Sequence, residues 1–328
     1  MRRCTLFTLL ALTLTTAACG GGATETLHIA VIPKGTTNEF WQSIHAGAIK
    51  ATRELEAAGI GVRITWKGPI REDDREQQIQ VVEGFLSQGV SGIVLSPLDA
   101  SALVRPVEEA RRAGIPTVII DSDLAADVQV SFVATDNYKG GVMAADRLGQ
   151  SLNGTGTVML LRYQEGSAST DARERGFLEQ IGKAFPGIEV VSSDQYAGAT
   201  RDTAKRASEN LLNRFGDVQG VFTPNESSTA GMLLALQDMG RAGKVRFVGF
   251  DASETFVTAL RARQMDGVVL QDPVEMGYRG VKTMVAHLRG EAVERRVDTG
   301  VIVVTPENLE SAESQALLYP PLKEFLGG

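Results

Sequence analysis

The sequence has very little cysteine or histidine and no excess of positive charge. Its two cysteines among 328 residues are Cys4 and Cys19, so the chain beyond them can form neither a disulfide framework nor a thiol centre. The three histidines, His28, His45 and His287, are scattered and give no metal-binding or catalytic spacing. A net charge of −7 argues against a nucleic-acid partner. The sequence therefore predicts no metal, no cofactor and no nucleic-acid partner.

The N-terminus has the layout of an export signal. Two arginines precede the apolar run Leu6–Leu14, which is too short to span a membrane. The residues Thr16–Cys19 resemble a bacterial lipobox, in which the cysteine is lipidated and becomes the first mature residue. We therefore expect a signal peptide at 1–18 and a lipid-anchored flexible tether at 19–25. Plain secretion with a free Cys19 stays open as the alternative.

From Leu27 onward, β-branched runs of strand length alternate with amphipathic segments of helix length. The rhythm restarts after Asn137, which predicts an α/β fold of two similar lobes, each a parallel sheet flanked by helices. Returns of the chain near Gln271 and Gly300 would give a hinge of three crossovers. The predicted N-terminal lobe is 26–135 plus 272–300, and the predicted C-terminal lobe is 136–271 plus 301–328.

Six predicted strands run into side chains that suit hydroxyl or carboxylate groups. Ligands of open parallel sheets bind just outside the carboxyl ends of the strands, so these side chains predict one shared pocket. The candidate ligand-binding residues are Asn38, Phe40, Trp41, Asp121, Arg173, Asn225, Asp251 and Gln271.

Ordered motifs along the chain resemble the sugar-type periplasmic binding proteins, close in pattern to the ribose- and galactose-binding receptors of ABC importers. The resemblance implies the type I periplasmic binding protein fold and covers nearly the whole chain beyond the tether. Its motifs are TTNEFW (Thr36–Trp41), GIVLSPLDA (Gly92–Ala100), GIPTVIIDSD (Gly114–Asp123), VATDNYKGG (Val133–Gly141), DARERGF (Asp171–Phe177), VFTPNESSTAGMLLALQDMG (Val221–Gly240), VGFDAS (Val248–Ser253) and VLQDP (Val269–Pro273).

The resemblance also implies a role for each candidate residue. Asn38 matches a position that hydrogen-bonds a sugar hydroxyl, and Phe40 and Trp41 match aromatics that lie on the apolar face of the ring. Asp121 matches a carboxylate that accepts from hydroxyls, and Arg173 a guanidinium that holds a ring oxygen or a hydroxyl pair, whereas we assign its neighbour Arg175 to a structural ion pair. The remaining polar ring is Asn225, Asp251 and Gln271. As alternatives, either aromatic could belong to the core, and Asp121 could stabilise its loop.

The chain departs from the ribose-type pattern at several positions. Ser122 stands where such receptors often carry Arg, and Ala199 stands where a second-lobe aromatic usually stacks on the sugar. Tyr196 could reach in instead, and Lys67 could add a cation to the pocket or be a solvated turn residue. Because of these changes, a larger sugar, a sugar alcohol or a sugar acid fits the sequence as well as ribose.

The resemblance implies a non-enzymatic, monomeric receptor that delivers a sugar or polyol to an ABC transporter permease. It would lie in the periplasm or, lipid-anchored, on the outer face of the cytoplasmic membrane. An enzyme is less favoured, because Asp121 and Asp251 are better interpreted as hydroxyl acceptors kept ionised by Arg173 than as an acid–base pair. A sugar-responsive DNA regulator is excluded by the signal sequence at the N-terminus. A receptor for a sensory histidine kinase or chemoreceptor stays open as the alternative.

Overall fold

A computed structural model describes residues 26–327 of the chain. The predicted signal peptide, the lipidation site Cys19 and the tether therefore lie outside the described residues. No helix between residues 26 and 327 is long and apolar enough to cross a membrane.

The described residues form strands and helices that alternate along most of the chain. The strands are β1 (Leu27–Ile32), β2 (Val62–Trp66), β3 (Gly92–Leu95), β4 (Thr117–Ile120), β5 (Ser131–Ala134), β6 (Thr155–Arg162), β7 (Gly187–Tyr196), β8 (Gly220–Phe222), β9 (Arg246–Phe250), β10 (Gly267–Gln271), β11 (Arg296–Asp298) and β12 (Val301–Val304). The helices are α1 (Glu39–Ala57), α2 (Arg75–Ser87), α3 (Val104–Arg112), α4 (Asn137–Ser151), α5 (Ala168–Ala184), α6 (Arg201–Arg214), α7 (Glu226–Asp238), α8 (Glu254–Arg261), α9 (Pro273–Leu288), α10 (Ala312–Leu318) and α11 (Leu322–Leu326).

The strands make two six-stranded sheets with the same arrangement. The first has the order β11-β5-β4-β3-β1-β2 and the second the order β12-β10-β9-β8-β6-β7. Neighbouring strands run parallel, except that β12 pairs antiparallel with β10. The chain passes from one sheet to the other after β5, after β10 and after β11. The predicted α/β fold with two lobes and three crossovers is therefore confirmed, with one antiparallel edge strand added.

The sequence explains why these elements form where they do. Central strands such as β4, with the sequence TVII, are buried along their whole length, as apolar runs covered by helices on both faces should be. Helices at the crossovers begin at aspartates: Asp136 accepts from the backbone N–H of Lys139, and Asp272 from that of Glu275.

One pair of helices in each lobe packs with backbones almost in contact. A Cβ atom added at Gly47 of α1 would lie 1.9 Å from the carbonyl oxygen of Val274 in α9. A Cβ atom added at Gly141 of α4 would lie 1.9 Å from the carbonyl oxygen of Arg173 in α5. Because only glycine permits this approach, these two positions set the spacing of the helices next to the hinge.

The C-terminal segment contacts both lobes, whereas the sequence analysis assigned all of 301–328 to the second. Leu309 and Leu318 join the hydrophobic core of the second lobe. Helix α11 packs instead against α1 of the first lobe, where the Arg53 guanidinium donates to the carbonyl oxygens of Glu324 (2.9 Å) and Phe325 (3.2 Å). The tail therefore makes a further bridge between the lobes, beside the three crossovers.

Candidate ligand-binding site

A polar cavity lies between the lobes at the carboxyl ends of the strands, and all eight predicted site residues line it. Sequence analysis missed seven further lining residues, which are Lys34, Glu72, Tyr163, Ser167, Ser169, Thr170 and Glu226. A larger and less polar groove of about 740 Å³ adjoins it at Phe40, Asp251 and Gln271 and runs under the C-terminal tail. The smaller cavity is the candidate site, because the buried charged groups of both lobes converge there.

Two aspartates occupy equivalent positions in the two lobes. Asp121 follows β4 and Asp251 follows β9, and their backbones have φ angles of 61° and 70°. This left-handed conformation is uncommon for residues other than glycine and is concentrated at functional sites. The backbone N–H of Asp121 donates to Val133 O (3.1 Å) and that of Asp251 to Val269 O (2.8 Å), which holds each strained residue against the next strand. Both carboxylates thereby point into the cavity.

Arg173 is the central cation of the second lobe. Its guanidinium lies 3.9 Å from the ring centre of Phe250, and its Nε and Nη1 donate to Asn137 Oδ1 (2.8 Å) and Pro224 O (2.9 Å). The remaining nitrogen, Nη2, is buried without a partner. Burial lowers the pKa of Arg173, while Asp251 and Asp121 oppose that shift. Arg173 therefore offers the cavity one oriented donor.

Arg175, which sequence analysis assigned to a structural ion pair, lies elsewhere. Its guanidinium sits 5.6 Å from the ring centre of Tyr138, and it does not line the cavity. Among the ion pairs of residues 26–327, none involves Arg175. This placement supports Arg173, and not Arg175, as the arginine of the pocket.

Lys34 supplies a second cation, at the end of β1. Its Nζ lies 3.5 Å from Asp121 Oδ2 and donates to the hydroxyls of Ser167 and Ser169, each at 3.2 Å. Lysine and aspartate belong to the first lobe and the two serines to the second, so this group joins the lobes. The cation that Ser122 cannot provide beside Asp121 is thus supplied by Lys34 after β1, two strands away in the sheet.

Glu72 reaches the cavity from the loop between β2 and α2. Its Oε1 accepts from Asn38 Nδ2 (2.6 Å) and Trp41 Nε1 (2.9 Å), and its Oε2 accepts from Tyr163 Oη (2.9 Å). Gln164 of the second lobe also donates to the Glu72 carbonyl oxygen (3.0 Å). Burial raises the pKa of Glu72, and the hydrogen bond from Trp41, the charge of Lys34 and the hydrogen bond from Tyr163 oppose the shift. The carboxylate is therefore fixed by groups of both lobes.

The remaining polar residues surround Asp251. Gln271 Nε2 donates to Asp251 Oδ1 (2.6 Å), and the backbone N–H of Glu226 donates to Oδ2 (2.9 Å). Burial raises the pKa of Asp251 although Arg173 lowers it, so the expectation that the guanidinium simply keeps this group ionised is incomplete. Two buried acceptors, Gln271 Oε1 and Glu226 Oε2, have no partner. Asn225 Oδ1 caps α7 at Ser228, so part of its amide serves the fold.

The aromatic side chains differ from the expected pair. Phe40 and Trp41 meet edge to face with ring centres 5.0 Å apart, and both line the cavity. Tyr196 is 40% exposed and lies outside the lining, so it does not replace the missing second-lobe aromatic. Tyr163, 1% exposed at the end of β6, occupies that side of the cavity. Lys67 is exposed and also lies outside the lining.

The lobes are closed over the cavity in this structure. Besides the Lys34 and Glu72 contacts, the backbone N–H of Ala100 donates to Gly166 O (2.9 Å) and that of Ser169 to Ser122 Oγ (3.1 Å). The space left between these side chains is about 30 Å³, which is too small for a sugar. A sugar can therefore enter only when the lobes separate, and it must then displace contacts between side chains that now fill the space. Within residues 26–327 no group of acidic, histidine or cysteine side chains is arranged to hold a metal.

Two buried glutamates near the cavity predict a distinct pH dependence of stability. Burial raises the pKa of Glu174 and of Glu226 from 4.5 to about 7. The folded state then binds more protons than the unfolded state between these values, so their stabilising effect is complete below pH 4.5 and is lost as the pH rises to about 7. Each group contributes at most ~3 kcal/mol to this decline.

We expect the double variant Glu174→Gln, Glu226→Gln to lose less free energy of unfolding than the wild type between about pH 4.5 and 7. Urea unfolding at several pH values measures both slopes. The lowered pKa values of His28 and His45 act in the opposite direction below pH 6.5 and are the same in both proteins. Parallel curves for the two proteins would contradict the raised pKa values.

Comparison with known proteins places the chain in a family. A family model described as a periplasmic binding protein domain matches residues 29–292. The D-allose-binding periplasmic protein of Escherichia coli (strain K12) is 31% identical over 268 residues, which cover 78% of this chain and 83% of that protein. The xylitol-binding protein of Mycolicibacterium smegmatis is 28% identical over 305 residues, covering 90% and 83%.

A solved structure agrees in fold. The carbohydrate transporter solute binding protein from Agrobacterium radiobacter, in complex with D-arabinose, superposes with a TM-score of 0.86 and 33% sequence identity. The match covers 90% of this chain and 100% of that one. These relatives are solute-binding transport proteins and not enzymes. The chain therefore belongs to the periplasmic binding protein family.

Proposed function

We propose that this chain is an extracytoplasmic solute-binding lipoprotein. It captures a small polyhydroxylated ligand, a monosaccharide or sugar alcohol, between its two lobes and delivers it to an ABC transporter permease. Closure around the ligand buries complementary hydrogen bonds, and the closed form is what the permease recognises. The eight predicted residues, together with Lys34, Glu72 and Glu226, are the proposed ligand-binding set.

One observation carries this proposal, namely the set of unpaired buried atoms in the cavity. Arg173 Nη2 is a donor, and Gln271 Oε1 and Glu226 Oε2 are acceptors. Leaving such groups unpaired costs about 1–3 kcal/mol each, so the bound state must satisfy them. Hydroxyl groups both donate and accept, and a ligand with several hydroxyls on a compact skeleton can meet all three at once. An analogue without one of these hydroxyls would leave a buried group unpaired, which gives specificity.

The relatives support the same class of ligand and the import role. Their names and complexes refer to D-allose, xylitol, D-arabinose and D-fucose, which are all small neutral polyhydroxylated molecules. The ribose import binding protein of Haemophilus influenzae, 30% identical over 307 residues, is named for transport. These names favour delivery to a permease over a sensory partner.

The location and assembly of the protein follow from the same proposal. The family is periplasmic, and lipidation at Cys19 would hold the chain at a membrane surface through the tether 19–25. One chain encloses the whole cavity with its own two lobes, so a monomer suffices for binding.

A thermal-shift screen of the purified protein tests the proposal. We expect at least one of D-allose, D-ribose, D-arabinose, D-fucose and xylitol to raise Tm, because a ligand that binds only the folded state stabilises it by mass action. At a concentration 100 times Kd the stabilisation is about 2.7 kcal/mol. Amino acids serve as the control set. A shift with amino acids and none with any sugar or polyol would refute the proposed ligand class.

A further inference from the structure

Glu72 differs from the other carboxylates of the cavity in its partners. Asp121 lies 3.5 Å from Lys34, Glu226 pairs with Arg201, and Asp251 is stabilised by the charge of Arg173. In the ion pairs formed by residues 26–327, Glu72 has no cationic partner. Its three hydrogen bonds come from the neutral groups of Asn38, Trp41 and Tyr163. Glu72 is therefore a carboxylate of the cavity without a direct ion pair, and the cation whose charge lowers its pKa, Lys34, is itself held by Asp121.

The cations that line the cavity have little capacity left for a ligand anion. Four carboxylates and only two cations face it. Lys34 is held by Asp121 and two serine hydroxyls, and two of the three guanidinium nitrogens of Arg173 already donate to protein acceptors. Strong recognition of a carboxylate by arginine uses two parallel N–H groups. Of the three guanidinium nitrogens only Nη2 has no partner, so a bidentate pair with a carboxylate would have to share Nη1 or Nε, which already donate to Pro224 and Asn137.

The unpaired atoms of the cavity also disfavour a ligand carboxylate. Gln271 Oε1 and Glu226 Oε2 each require a donor from the ligand, while the N–H groups of Arg173 Nη2 require an acceptor. A hydroxyl supplies a donor, but an ionised carboxylate supplies none. Replacing a ligand hydroxymethyl group by a carboxylate would therefore remove a donor from a site that needs donors, and it would add a negative charge close to Glu72.

From these contacts we infer that Glu72 makes the cavity select carboxylate-free sugars and reject sugar acids. The inference rests on the proposed function and narrows it, since the sequence alone leaves sugar acids open. Glu72 is placed to act this way because its carboxylate joins the lobes. Its Oε1 accepts hydrogen bonds from Asn38 and Trp41 of the first lobe, and its Oε2 accepts one from Tyr163 of the second lobe. Any ligand that closes the lobes lies within reach of this charge.

The test uses pairs of sugars in which the acid carries a carboxylate in place of the hydroxymethyl group or the anomeric carbon of its neutral partner. Calorimetric titrations with glucose, galactose and mannose are compared with glucuronic, galacturonic and mannuronic acid at pH 8, and with D-arabinose beside arabinonate. We expect each acid to bind at least tenfold more weakly than its neutral partner. Glu72→Gln keeps the shape and the acceptor of the side chain. In this variant the ratio of the Kd of each acid to the Kd of its neutral partner should fall at least threefold, chiefly through tighter binding of the acid. Glu76→Gln, an exposed residue on the following helix, is the matched control and should leave the ratio unchanged.

The outcomes separate the inference from the proposed function. Equal binding of a sugar and its acid by the wild type would overturn the inference and leave sugar binding intact. Rejection of acids that persists unchanged in Glu72→Gln would remove Glu72 as the determinant. Binding of the acids without binding of their neutral partners would overturn the inference, whatever the thermal-shift screen shows. Failure of every neutral sugar in this series, together with the allose, ribose, fucose and xylitol of the thermal-shift screen, would refute the proposed function and the inference with it.

Discussion

We expect Arg173→Lys to lower ligand affinity at least ~100-fold while the protein remains folded. Lysine keeps a positive charge in the pocket but lacks the planar guanidinium. In the wild type that group donates to Asn137 Oδ1 (2.8 Å) and Pro224 O (2.9 Å) and leaves Nη2 for the cavity. The ligand then loses its only unpaired donor from this side chain, and two buried acceptors of the protein lose their partner. Titration calorimetry gives the affinity, and circular dichroism melting gives the stability.

Arg175→Lys is the matched control for this variant. It makes the same chemical change two residues along the same helix, on a side chain that contacts the Tyr138 ring and not the cavity. We expect its affinity to stay within twofold of the wild type. Binding by Arg173→Lys within threefold of the wild type would show that the guanidinium does not touch the ligand.

Gly141→Ala is expected to destabilise the protein by at least ~3 kcal/mol, or roughly 5–10 °C in Tm, and to weaken binding as well. The new Cβ atom would lie 1.9 Å from the carbonyl oxygen and 2.9 Å from the Cα atom of Arg173, so helices α4 and α5 must separate. That movement displaces the backbone that carries the guanidinium. We expect affinity to fall at least ~10-fold at a temperature where the variant is fully folded.

The same substitution on the same helix at Gly149 gives the comparison. There the Cβ atom would lie 2.5–2.6 Å from ring atoms of Phe185, a partly buried side chain that can move, and it does not approach Arg173. We expect Gly149→Ala to cost less stability and to leave affinity unchanged. Equal loss of affinity in both variants would mean that the helix spacing acts through overall stability and not through the position of Arg173.

The fold could be predicted from the sequence wherever local pattern and burial agree. Helix α1 and strands β2 and β12 lie where strong amphipathic or β-branched runs of the sequence end at turn residues. Strand β11 was not predicted: its three residues, Arg296–Asp298, include two charged ones, and only pairing with β5 makes them a strand. The course of the C-terminal tail was likewise unpredictable, since it depends on the distant contact with Arg53.

The candidate site was predictable to the extent that strand ends define it. The eight predicted residues converge because the carboxyl ends of parallel strands meet at one edge of each sheet. The same argument could have found Lys34 after β1 and Tyr163 after β6, which both follow their strands within two residues. Glu72 gave no such signal, because it lies in a loop and its position depends on donors from two other segments, the start of α1 and the loop after β6.

A crystal structure of the protein with the sugar or polyol that raises Tm most would test capture between the lobes most directly. The account predicts the ligand in the cavity between Asp121 and Asp251, with its oxygens about 3 Å from Arg173 Nη2 and from at least one of Gln271 Oε1 and Glu226 Oε2. Ligand bound only in the groove under the C-terminal tail, or on one lobe without contact to the other, would contradict it.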